Sequence, residues 1–134
     1  MTITSFDDLL NTSRTQANVQ TLLMVFVDVE LPDDASAAER ERFEAGLGGN
    51  LTPRMCLDRV ATDVQDWASL QQEADQQSDQ WRMVLVAALG GTPHKRASND
   101  AIDQALDRMV MAVHQGQIQD YFPLDRQGQA VRFT

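Results

Sequence analysis

The segment Gly90-Gly91-Thr92-Pro93-His94-Lys95-Arg96 places three basic side chains behind two glycines and just ahead of Ser98-Asn99-Asp100, a run of helix-capping residues. Glycines let a backbone approach a ligand closely, and the first amides of a helix are unpaired, so such a segment can hold an anion. Gly90, Gly91, Thr92, His94, Lys95 and Arg96 are therefore the candidate ligand-binding residues. Their spacing fits neither the dinucleotide-binding glycine fingerprint nor the phosphate loop of nucleotide hydrolases, so the segment specifies no nucleotide.

A second group is acidic. Asp28, Glu30, Asp33 and Asp34 gather where an apolar run ends, and paired carboxylates suit acid–base work or a divalent cation. Their order matches no EF-hand loop, and a turn or helix-start role accounts for Asp33 and Asp34, so no metal site is expected. Cys56 is the single cysteine. It becomes a reactive thiol only where a neighbour such as His94 or His114, or a helix N-terminus, lowers its pKa; a small hydrophobe is the plainer reading. One cysteine makes neither an internal disulfide nor a cysteine-based zinc site, which points to a reducing cytoplasm. No nucleophile triad stands out, so no catalytic residue and no cofactor are assigned. Trp67, Trp81, Tyr121 and Phe122 are aromatic residues that can anchor a partner or fill a core.

The elements that must position these residues are legible in the apolar pattern. Thr21 to Glu30 is apolar on both faces over its centre, as an interior strand should be, and Met83 to Leu89 repeats that pattern. Ser5 caps a helix over 5–17, and Ser36 with Glu39 forms a capping box for a short helix over 36–45. Gly46 to Asn50 should end that helix in an open turn. Pro53 leads into a weaker strand, Arg54 to Val60, able to pair antiparallel with the first. Thr62 and Gln65 make another capping box, opening a helix that runs to about residue 79. Ile102, Ala105, Leu106, Met109, Val110 and Val113 form the cleanest helical stripe, over 99–115, which Gly116 closes. Ile118 to Leu124 and Ala130 to Phe133 should form a β-hairpin around Asp125-Arg126-Gln127-Gly128, its last strand at a sheet edge able to recruit another chain. The expectation is an α/β or α+β class, one layered domain over residues 1–134. It should hold a mixed sheet of about four to five strands and about four helices.

The chain has 134 residues, 43% of them hydrophobic, and a net charge of −9. That size buries a full core without a staple. The charge repels phosphate backbones and anionic lipid, so neither nucleic acid nor membrane is an expected partner, and a cationic partner is favoured. The apolar run Leu22 to Val27 is far shorter than a membrane span, and the first residues lack the pattern of a secretory signal.

Ser5-Phe6-Asp7-Asp8-Leu9-Leu10, Glu30-Leu31-Pro32-Asp33-Asp34-Ala35, Leu51-Thr52-Pro53-Arg54-Met55-Cys56, Val86-Ala87-Ala88-Leu89 and Asp125-Arg126-Gln127-Gly128 resemble a family of short bacterial proteins labelled ribonucleotide reductase subunit alpha. The resemblance spans nearly the whole chain. Reductases of that kind need a radical-carrying cysteine and a redox cysteine pair in a large barrel, which one cysteine in 134 residues does not supply. The resemblance thus implies an origin and brings no functional residue with it. The expected function is a non-enzymatic module that binds a protein partner or self-associates. The alternatives are an anion- or small-molecule-binding protein or enzyme using the loop 90–96 with Asp28 or Glu30 across a crevice, and a thiol redox protein acting through Cys56.

Overall fold

In the computed structural model, residues 3–30, 34, 36–44 and 50–131 are described. The element order is α1 (Phe6–Arg14), β1 (Gln20–Glu30), α2 (Ala37–Glu44), β2 (Asn50–Val60), a 3-10 turn (Ala61–Asp63), α3 (Trp67–Gln77), β3 (Met83–Gly90), α4 (Asn99–His114) and β4 (Phe122–Leu124). The four strands form one sheet in the order β2-β1-β3-β4. Of the two expected classes, α+β holds. The sheet is antiparallel at every described pairing rather than mixed. β2 and β3 do run parallel to each other, but β1 lies between them and opposes both, so no parallel ladder forms.

β1 is the centre of the molecule. Thr21 to Val27 are all buried, because successive side chains of a strand face opposite sides and both sides are covered. Leu22, Met24 and Phe26 join Phe6, Leu10, Trp67, Leu70 and Ala74 from α1 and α3 on one face. Leu23, Val25 and Val27 join Ile102, Ala105, Met109 and Val113 of α4 on the other. The result is helix, sheet, helix. Each fully buried Leu, Phe or Val contributes roughly 1.5–3 kcal/mol of transfer free energy, so this strand anchors both layers.

Several boundaries shift from the sequence expectation, each for a local reason. α1 stops at Arg14 because the chain turns over Thr15 to Asn18 to enter β1, and Ser5 caps its start by accepting from the Asp8 amide. α3 starts at Trp67, not at the Thr62 capping box. Thr62 lies in the 3-10 turn, Val64 is extended, and Asp66 is the working cap, accepting from the Ser69 amide at 2.9 Å. β2 reaches back past Pro53 to Asn50, with a bulge opposite Phe26 and Val27 that admits Arg54 as an extra residue. β4 is only three residues long. The hairpin partner survives as a bridge between Leu124 and Ala130, and residues 132–134 lie outside the described residues, as do Gly46 to Gly49 and Asp33. The turn itself is as expected: Gly128 has φ +75°, and the Asp125 carboxylate accepts from the Gln127 and Gln129 amides.

The C-terminal turn is tied back to the start of the chain. The Phe6 amide donates to the Gly128 carbonyl at 2.8 Å and the Ala130 amide to the Thr4 carbonyl at 2.9 Å. Arg126 makes two bonds to the Asp75 carboxylate, 2.9 and 3.0 Å, and lies 4.1 Å over the Trp81 ring, whose indole also donates to Asp75.

Candidate functional site

The loop 90–96 leaves the end of β3, as its position in the sequence demands, and its Gly91, Thr92 and His94 amides are all taken up by protein acceptors. The Gly91 amide donates to the Val19 carbonyl, the Thr92 amide to the Lys95 carbonyl, and the His94 amide to the Thr92 hydroxyl. Gly91 is required here, since a Cβ would sit 2.2 Å from the Lys95 carbonyl oxygen. Arg96 donates to the Ala97 carbonyl and the Asn99 side chain, and Ser98 caps α4. His94 and Lys95 project into solvent. Asp28 and Glu30 do not face this loop. Gln20 pairs with Gly90 whereas Val27 pairs with Met83, so the steps along β1 from Gln20 to Asp28, at about 3.3 Å each, put about 26 Å between them. At that far end Asp28 is within ion-pair distance of Arg54 (3.5 Å) and Arg82 (3.6 Å), and Glu30 pairs with Arg54. Asp34 is exposed.

Cys56 sits on the edge strand β2, opposite Val25, with its side chain on the α4 side of the sheet. Burial pushes its thiol pKa up and the negative charge of Asp107 adds to the effect. Both terms disfavour the thiolate. Among the described residues no cluster of three or more His, Cys, Asp or Glu is arranged to hold a metal ion. Trp67 and Trp81 are buried and pack in a chain from Phe6 to Phe26 by tilted and edge-to-face contacts, with ring centroids 5.3, 6.1 and 4.9 Å apart. They fill the core. Phe122 packs half-buried against the same cluster.

Tyr121 is half-buried against the α4 core on the other face of the sheet, and one side of it borders a surface depression. α4 ends in a Schellman motif: Gly116 has φ +70°, its amide donates to Val113, and the Gln117 amide donates to Ala112. The chain therefore doubles back, and Ile118 to Tyr121 run alongside the end of the helix before β4 joins β3. Between α4 and this return segment lies a shallow depression of about 560 Å³, continuous through Gln119 and Tyr121 with a second of about 530 Å³. Met111, Ala112, Ile118, Tyr121 and Pro123 supply the apolar surface, and Gln115, Gln117 and Gln119 supply amides. Only Arg108 and Asp120 of the lining are charged. Met111 is 60% exposed, the one large hydrophobic side chain among the described residues that is open to solvent.

Sequence reasoning flagged Tyr121 and missed Met111. The signal was present, since Met111 is the large apolar residue of α4 that falls off its core stripe. On the exposed ridge it follows Asp100, Gln104 and Asp107 at helical spacing, all of them exposed. A third depression, along α3, is lined by Ala68, Gln71, Gln72, Asp75 and Gln76 and has Asp75 already engaged by Arg126 and Trp81.

Comparison with family models, with curated proteins and with solved structures finds no match to this chain. No helix among the described residues is long and apolar enough to cross a membrane.

Proposed function

We propose that this chain is a non-enzymatic interaction module of the reducing cytoplasm, and that the face formed by the end of α4 and the segment 115–123 receives a protein partner. The observation that carries the reading is the exposed Met111 beside Tyr121, in a lining nearly free of charge on a molecule of net charge −9. Interface centres are depleted of charge and enriched in Met, Tyr and Arg, which is this composition. The groups the sequence offers for chemistry support the same reading by their engagement elsewhere. The Arg96 guanidinium donates to the Ala97 carbonyl and the Asn99 side chain, Asp28 and Glu30 pair with arginines, and the Cys56 pKa is pushed up, away from the thiolate.

The occupant is a heterologous partner that presents an apolar side chain flanked by basic residues. The apolar group fits against Met111 and Tyr121, and the cations lie along Asp100 and Asp107 on the same ridge of α4. A second copy is the poorer fit, because it brings another charge of −9 and like fields oppose association.

Variants test this directly. Met111→Asp and Tyr121→Asp should each lower partner capture by on the order of tenfold or more, while Gln72→Asp on α3 leaves it unchanged. Equal capture by all four proteins contradicts the assignment of this face. Light scattering that gives twice the chain mass at micromolar concentration contradicts the heterologous occupant.

A further inference from the structure

We propose that the Met111 thioether is a reversible oxidation site, modified by hydrogen peroxide ahead of the other described methionines, and that its oxidation closes the docking face. The second half rests on the docking reading above. Met24, Met83 and Met109 are 0, 5 and 2% exposed, Met55 is half-buried against the α1/α3 core, and Met111 is 60% exposed. Peroxide must reach the sulfur lone pair, and a close-packed interior excludes it from the first three.

The reaction balances simply. The sulfur lone pair attacks one peroxide oxygen, an S–O bond forms and the O–O bond breaks, and the departing hydroxide takes the proton of the new S–OH group to leave as water, giving the neutral sulfoxide. Sulfur loses two electrons and the peroxide gains them. The product replaces an apolar surface with a strong dipole, at the rim of a depression whose partner-facing side chains are Tyr121, Ala112 and Ile118. The fold tolerates the change, because α4 is held by Ile102, Ala105, Met109 and Val113 on its opposite side. Cys56 is exposed on β2, but partial desolvation and the charge of Asp107 push its pKa up, so little of it is the thiolate that peroxide attacks.

Met109 is an internal control two residues away. Cleavage after Arg108 and Arg126 releases one peptide that holds both methionines, so fragment spectra read their oxidation from the same molecule. Native full-length protein under limiting hydrogen peroxide should show Met111 sulfoxide over Met109 sulfoxide by on the order of tenfold. In urea the preference should vanish. The melting temperature of the singly oxidised protein should be unchanged, and methionine sulfoxide reductases should restore the thioether. Equal oxidation of the two in native protein, or a lowered melting temperature, overturns the oxidation site.

Gating has its own readout. The oxidised chain should lose partner capture, and methionine sulfoxide reductases should restore it. Oxidation at Met111 with unchanged capture overturns gating and leaves the docking reading standing. An untreated chain that captures nothing overturns docking and gating together, and the peptide ratio still decides the oxidation site.

Discussion

Two glycines separate the conformational demand of a turn from the steric demand of its surroundings. Gly128 and Gly116 both have positive φ, but a Cβ at Gly128 would lie 2.7 Å from the Trp67 ring, whereas a Cβ at Gly116 meets nothing within 4 Å. Gly116→Ala should therefore cost about 1 kcal/mol, the backbone term alone. Gly128→Ala should cost about 3 kcal/mol, the same term plus an overpacked core. Urea unfolding of the two variants checks the difference, and equal losses would mean that the Trp67 contact carries no weight. Thr21 makes the opposite case. Its hydroxyl is buried without a hydrogen-bond partner, so Thr21→Val should raise stability by about 1 kcal/mol. Residue-scale features of this kind were only partly legible in the sequence. The glycine of the Asp125–Gly128 turn announces itself by its neighbours, whereas the orphaned hydroxyl depends on which groups pack around Thr21.

At the scale of elements, carboxylates act at the starts of α1 and α3: Asp8 holds Thr4 just ahead of the Ser5 cap, and Asp66 is the cap of α3. The Asp8 carboxyl lies below its ordinary range because the Thr4 amide and hydroxyl donate to it, and Asp66 lies below its range through the bond from the Ser69 amide. A carboxylate whose pKa is depressed in the folded state stabilises it above the unfolded pKa, near 3.9, and loses that contribution as pH falls through the lower folded value. Helicity followed by circular dichroism should hold down to about pH 4 and then fall, with part of the fall missing in Asp66→Asn, which keeps a capping oxygen without a titrating group. An identical acid transition in that variant would remove Asp66 from the account. Elements covered on both faces were the easiest to read from sequence. The apolar run of β1 and the stripe of α4 follow directly from what they bury. Boundaries set by distant partners were not readable. α3 begins late because Arg14, some fifty positions earlier, donates to the Ala61, Val64 and Gln65 carbonyls and holds the 3-10 turn in place. β2 carries a bulge at Arg54 that is defined only by its pairing with Phe26 and Val27.

For the molecule as a whole, the Asp75–Arg126–Trp81 contact joins α3, the entry to β3 and the C-terminal turn, and no local pattern could have foretold a pair separated by 51 positions. Arg126→Ala should lower unfolding free energy by about 1–2 kcal/mol and shift tryptophan emission to longer wavelength as solvent reaches Trp81. The proposed site shows the same limit. Tyr121 was suspected from its type alone, but that Met111 stands beside it depends on the Schellman turn that folds 117–123 back along α4. If the proposed face receives a basic-flanked partner, the net charge of −9 should make capture faster at low ionic strength, since salt screens the approach and leaves the apolar contact intact. The most direct measurement places a photoreactive side chain at position 111, and separately at position 72, and analyses the adducts formed in native lysate. The account predicts one partner crosslinked from position 111 and not from 72, through a segment with an apolar residue between basic ones, and displaced by excess unlabelled protein. Adducts shared equally by both positions, or formed only between copies of this chain, would contradict it.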